Sequence, residues 1–204
     1  MTQISMTKFE IKNGSFVWVI GKFGNWNLFG IWDLVIGNFL KEVTDMPTVL
    51  ILYYSRSGNT EEMAKAVEEG VKSEEVKVVR KRVNRATLKD LLKVDGIILG
   101  SPTYYGTMAA EMKAFIDRSV QYHGKLEGKV GAAFSSCGGL GGGVETTVLD
   151  MLKALLIHGM VIQGDPRGSH YGTVSIGKPN AAAKKECKKL GEKVARLIKR
   201  LGAS

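Results

Sequence analysis

Three short segments of this chain concentrate hydroxyls, glycines and tyrosines in patterns that suit ligand binding. The first, Ser55-Arg56-Ser57-Gly58-Asn59-Thr60, follows an apolar run and leads through Glu61-Glu62 into an amphipathic one. Such a turn at a helix start presents several backbone N–H groups in one concavity, and together with the positive end of the helix dipole they suit a terminal phosphate. Ser, Asn and Thr are equally common as plain N-caps, so this loop alone leaves both readings open. Neither the dinucleotide fingerprint G-x-G-x-x-G nor the P-loop pattern G-x-x-x-x-G-K-[ST] occurs here, which points to a phosphate monoester and not a pyrophosphate. The second segment, Ser101-Pro102-Thr103-Tyr104-Tyr105-Gly106, offers two flat aromatic faces with polar tips, able to stack on a planar ring whose polar edge Thr103 and backbone amides would reach. A simple turn leading into a helix is the plainer alternative. The third, Ser135-Ser136-Cys137-Gly138-Gly139-Leu140-Gly141-Gly142-Gly143, has five glycines in the six residues 138–143. They let backbone approach a ligand closely; a flexible surface loop would look the same.

The elements that must position these loops alternate in period. Thr48–Tyr54 is a β-rich apolar run, and Met63, Ala64, Val67 and Val71 then recur at helical spacing. Strands are predicted around Val76–Arg80, Gly96–Leu99, Val130–Phe134 and Met160–Ile162. Between them lie a brief helix near Leu88–Leu92, a stripe of Met108, Met112, Phe115 and Ile116, and another of Val144, Val148, Met151, Leu152 and Leu155. Five near-continuous apolar strands separated by helices imply an α/β fold with a parallel sheet covered on both faces. In such a sheet ligands bind at the carboxyl ends of the strands, beside the switch in strand order, and all three segments fall there.

Composition narrows the function classes. The chain has 204 residues, a formal charge of +9 and two cysteines, Cys137 and Cys187, which form no C-x-x-C pair. Neither a disulfide framework nor a metal site is suggested, and a reducing, cytoplasmic setting is the expectation. The basic excess gathers at residues 184–200, with eight Lys/Arg against two Glu. Cys187, Leu190, Val194, Leu197, Ile198 and Leu201 recur there at core-facing helical spacing, so this is read as the solvated face of a packed helix and not as a nucleic-acid site. A positive domain would still attract an anionic dinucleotide.

Residues 1–45 differ from the remainder of the chain. They hold all three tryptophans and five of the seven phenylalanines, and their four Lys balance two Asp and two Glu, so the whole +9 belongs to residues 46–204. The apolar stretch from Phe16 to Leu40 is interrupted by Lys22, Asp33 and repeated Gly and Asn, unlike a membrane span, which needs about 20 nearly uninterrupted apolar residues. It also lacks the layout of a secretory signal. A boundary is expected at Met46. One reading makes Met46 the natural start and the preceding residues an over-extension of the reading frame or an added segment; the others are an arm for oligomer contacts or a surface-seeking segment.

The blocks VLILYYSRSGNTEEMAKAV (49–67), GSPTYYGTMAAEMKAFID (100–117), FSSCGGLGGGVETT (134–147) and HGMVI (158–162) together resemble the flavodoxin-like superfamily, from Met46 to about Leu201. More narrowly they resemble NAD(P)H:quinone oxidoreductases of the WrbA type. The resemblance implies a doubly wound five-stranded sheet of order 2-1-3-4-5, non-covalent FMN, NAD(P)H as reductant, a quinone or similar acceptor, and a homo-oligomer (dimer or tetramer). It implies that Ser55, Arg56, Ser57, Gly58, Asn59 and Thr60 hold the FMN phosphate. Thr103, Tyr104 and Tyr105 would border the isoalloxazine ring, with Pro102 and Gly106 shaping that turn. Ser136, Cys137, Gly138, Gly139, Leu140 and Gly141 would contact the pyrimidine side. His158 matches a histidine that reaches FMN in the family and is the one catalytic candidate; physically it also suits the last helical position before a Gly159 cap. The family's quinone-site tryptophan is missing, since Ser119–His123 contains none. A single-electron carrier of the flavodoxin kind, and a flavin-binding regulatory or interaction protein, stand beside the enzyme reading. Such carriers are typically acidic, and this domain is not.

Overall fold

The structure is a computed structural model; it describes residues 5–11, 15–21 and 46–202. The chain divides between Asp45 and Met46. In the first part, β1 (Ser5–Ile11) and β2 (Ser15–Gly21) pair antiparallel, with Ser5 opposite Gly21. The rest of the interrupted apolar stretch, Trp26 and Trp32 included, lies outside the described residues.

From Met46 the chain alternates as its hydrophobic pattern demands. The elements are β3 (Thr48–Tyr53), α1 (Asn59–Lys72), β4 (Lys77–Arg82), β5 (Gly96–Tyr104), β6 (Thr107–Met108) and α2 (Ala110–Arg118), then β7 (Val130–Cys137), α3 (Val144–Ile157), β8 (Val161–Ile162), β9 (Thr173–Ile176) and α4 (Ala181–Gly202). The sheet order β4-β3-β5-β7-β8 is the expected 2-1-3-4-5, with parallel pairing throughout that path. The fifth position differs from expectation. It is shared by two short strands: β8 pairs with Val130 and Gly131, and β9, which the apolar pattern did not reveal, pairs with residues 134–137 farther along β7.

Successive strand side chains point to opposite faces, and each face has its own helical cover. Val49, Ile51 and Tyr53 pack with Met63 and Val67 of α1 and with Cys187, Leu190, Val194 and Ile198 of α4. Leu50 and Leu52 pack with Met112 and Phe115 of α2 and with Val148, Met151 and Leu155 of α3. The cationic helix is thus a core helix, although Leu201, expected on its packed stripe, is exposed because it lies beyond the last turn that meets the sheet. Burial pushes the Cys187 thiol up to about 12, which leaves it inert. Among the described residues no helix is long and apolar enough to cross a membrane.

Candidate functional site at the carboxyl rim

Strand β3 delivers the first loop to the rim. Gly58 occupies the cap position of α1 in the left-handed conformation (φ 95°, ψ −19°), and no side chain caps this helix. The plain N-cap reading therefore fails. Ser55 turns its hydroxyl inward to accept the Gly58 N–H at 3.1 Å. Thr60 is buried and bonds to Ser136 across the sheet at 2.9 Å. The first intrahelical bond is the Glu62 N–H to the Gly58 carbonyl (2.9 Å), so the N–H groups of Asn59, Thr60 and Glu61 have no partner inside the helix. Arg56 and Ser57 are exposed, and Asn59 is half-buried.

Strand β5 runs past the rim to Tyr104 and doubles back as β6, pairing Tyr104 with Thr107. Tyr105 (φ 48°) and Gly106 (φ 81°) make the connection. Two positive φ angles in a two-residue hairpin mark a type I′ turn. The turn holds the Tyr105 ring fully in solvent, while Tyr104 meets Tyr54 edge-on, with centroids 6.5 Å apart. Tyr54 extends the aromatic wall. Hydrogen bonding to Glu111 holds its phenol above the ordinary value, with burial adding to the effect.

Strand β7 is buried along its length and brings Ser135, Ser136 and Cys137 to the same edge. Gly138, Gly139, Leu140 and Gly141 beyond it are exposed. A Cβ added at Gly138, Gly139 or Gly141 would meet nothing within 4 Å, so packing does not demand glycine there, although the left-handed backbone at Gly141 (φ 74°) favours it. The loop closes at Gly143, the cap of α3, where Thr146 donates to the Gly106 carbonyl at 2.7 Å and fastens the tyrosine turn to the helix.

Hydroxyls join the loops behind the rim. Ser135 donates to the Ser101 carbonyl (2.8 Å), which commits its proton and makes Thr103 the donor in the 3.1 Å Thr103–Ser135 bond. Thr147, fully buried on α3, donates onward to Thr103 at 2.9 Å. Pro102 lies within β5, in register with Ser136. The three predicted loops are thus brought together. Tyr54 and Thr147 were not foreseen, because nothing local distinguishes them from a strand-end tyrosine and a helical threonine.

His158 does not join them. Helix α3 leaves the rim at Val144 and its 14 residues carry the chain about 20 Å, to the amino end of the sheet. There the Gly159 N–H bonds to Leu156 and the Met160 N–H to Leu155, a Schellman ending in which His158 is the cap residue. Its Nε2 pairs with the Ser119 hydroxyl at 2.8 Å. Its Nδ1 is buried without a partner among the described residues. Burial, with the neighbouring His123, holds its pKa below the ordinary value. Within one chain, the expected approach to the cofactor loops is replaced by this capping role.

Residues 47–169 match the family described as NADPH-dependent FMN reductase. The chain belongs to this family. Among curated relatives it is 40% identical to a flavodoxin from Aquifex aeolicus (75% of this chain, 88% of the relative). It is 35% identical to an NAD(P)H dehydrogenase (quinone) from Archaeoglobus fulgidus, covering 76% of this chain and all of the relative. Among solved structures, a flavodoxin from the domain Archaea superposes with a TM-score of 0.64 at 31% identity (74% and 99% covered). A WrbA-like flavodoxin from Agrobacterium tumefaciens shares the fold, with a TM-score of 0.67 at 22% identity (76% and 98% covered). FMN, the group this family implies, suits the rim described above. An uncapped helix start led in by a left-handed glycine accepts a phosphate, and the unfilled space over Gly138, Gly139 and Gly141 accepts a ring edge against backbone.

Proposed function

We propose that this chain is an FMN-dependent oxidoreductase that takes hydride from NAD(P)H and delivers two electrons to a quinone or similar small acceptor. The observation that carries the reading is the convergence, on one rim, of an uncapped helix start, an open glycine loop and an exposed tyrosine turn, tied by the Thr60–Ser136 and Thr103–Ser135 bonds. Ser55–Thr60 hold the phosphate through backbone N–H groups. Thr103, Tyr104 and Tyr105 border the ring, with Tyr54 behind Tyr104. Backbone N–H groups of residues 136–141 face its pyrimidine side, where fixed donors stabilise negative charge as it develops. When bound, FMN supplies the hydride-accepting and electron-donating centre; the protein supplies position and electrostatics. Tyr105, wholly in solvent, is the side chain that reductant and acceptor meet in turn. The net charge of +9 beyond residue 45 favours arrival of an anionic dinucleotide.

A single-electron carrier is the second reading, favoured by the 40% identity to a protein named flavodoxin. Stopped-flow mixing of FMN-loaded protein with NADH or NADPH separates the two. Rapid bleaching of the flavin band, followed by reoxidation with quinone, is the expected result. Indifference to both nucleotides, with one-electron chemical reduction stopping at a stable half-reduced form, overturns the enzyme reading in favour of the carrier.

A further inference from the structure

The first turn of α1 carries two carboxylates, Glu61 and Glu62, beside the loop that would seat a phosphate. Acidic residues there suit the helix dipole, but next to a bound dianion they repel it. Both are answered from other elements. Arg82, at the end of the edge strand β4, pairs with Glu61 through Nη2, while its Nη1 donates to the Ser55 carbonyl at 3.3 Å. Tyr53 adds a hydroxyl bond to Glu61 at 3.1 Å, and Arg80 stands 3.9 Å from the same carboxylate. On the other side, Lys184 of α4 lies 3.1 Å from Glu62.

We propose that Arg82, assisted by Lys184, makes the rim selective for phosphorylated over unphosphorylated flavin by cancelling the carboxylates of Glu61 and Glu62. This rests on the reading of residues 55–60 as the phosphate cradle. Arg82 is a positioning residue: its guanidinium is occupied by Glu61 and the Ser55 carbonyl, and it acts on the phosphate through them. Protonation cannot do the same work at neutral pH, because hydrogen bonding to Arg82 holds the Glu61 carboxyl below its ordinary range and Lys184 does so for Glu62. The Arg82–Glu61 contact is partly buried, where solvent and salt screen charge less than at the open surface.

The test is a fluorescence-quenching titration of the full chain with FMN and, separately, with riboflavin at low ionic strength. R82Q is expected to weaken FMN binding about tenfold, the scale of one uncompensated charge nearby, and to leave riboflavin binding unchanged. The double variant E61Q/R82Q is expected to restore FMN binding. K184Q gives a smaller loss, reversed by E62Q/K184Q; this pair sits at the surface and keeps the test open should R82Q fold poorly. Unchanged FMN affinity in both R82Q and K184Q overturns the proposal. So does an equal loss for both flavins, or a failure of E61Q to rescue, since either would reduce Arg82 to a brace for the Ser55 carbonyl. Wild-type protein that binds FMN no better than riboflavin defeats the phosphate cradle itself, a separate failure.

Discussion

The carboxyl end of the sheet is finished with Ser, Thr, Gly and Tyr, whose polar groups bond one loop to the next. The amino end is closed by Leu91, Phe115, Leu126 and Leu155 around His158 and a cavity of about 20 Å³, room for roughly one water. Both ends belong to the same strands, yet one holds its shape by hydroxyl bonds to hydroxyls and carbonyls of neighbouring loops and the other mainly by apolar contact, with the Ser119–His158 bond inside it. The difference teaches where each kind of change should be felt. Packing at the amino end sets global stability, while the rim is free to keep polar groups and open space for a ligand because it contributes less to the core.

The strongest challenge to this division is Phe115→Ala. It should cost about 3–5 kcal/mol of stability in urea denaturation while the folded fraction keeps its FMN affinity; a matching loss of flavin binding would show that the two ends are coupled. Gly58→Val makes the opposite demand. A β-branched residue in the left-handed region costs about 1–2 kcal/mol, and FMN affinity should fall by more than stability alone explains, as read by flavin quenching. His158→Gln should cost about 1 kcal/mol and alter a pH profile. Because the folded His158 binds its proton less readily than the unfolded chain does, wild-type stability should be complete above the ordinary histidine value and decline as pH falls through it. The variant should show a shallower decline in melts taken across that range. Tyr105→Asn keeps a residue that tolerates the left-handed turn, so stability should stay within about 0.5 kcal/mol. The KM for nucleotide or quinone should still change a few-fold, and an unaltered KM for both would remove Tyr105 from the site.

Much of this architecture is legible from residue pattern, and the exceptions have physical reasons. The buried strands β3, β5 and β7 are near-continuous apolar runs, and their parallel pairing follows from the helices between them. Strand β9, Thr173–Ile176, escapes notice because it has four residues, alternates buried with less buried positions, and follows a polar stretch rich in Gly. The loops at the rim announce themselves because glycine, hydroxyl and tyrosine clusters are local. The bonds that join them are not, since Thr103 to Thr147 and Arg82 to Ser55 span 44 and 27 positions. His158 shows the limit of a motif read alone. HGMVI follows the glycine loop closely in sequence, but a straight 14-residue helix separates them in space.

The divided fifth strand gives this molecule a place to vary. The ladder beside β7 stops after Gly131 and resumes at Phe134, so the register of β9 is set afresh and not inherited from β8. Residues 163–172 can therefore lengthen at a modest entropic cost, about 0.6 kcal/mol per doubling of a flexible loop, without shifting a single pair in the rest of the sheet. Because the segment joins β8, which ends opposite Gly131, to β9, which begins opposite Phe134, such an insertion would emerge from the outer edge of the sheet beside β7. Lineages of this fold could thus acquire a new docking partner or a shielding flap there by lengthening one segment, with the ligand-holding loops untouched.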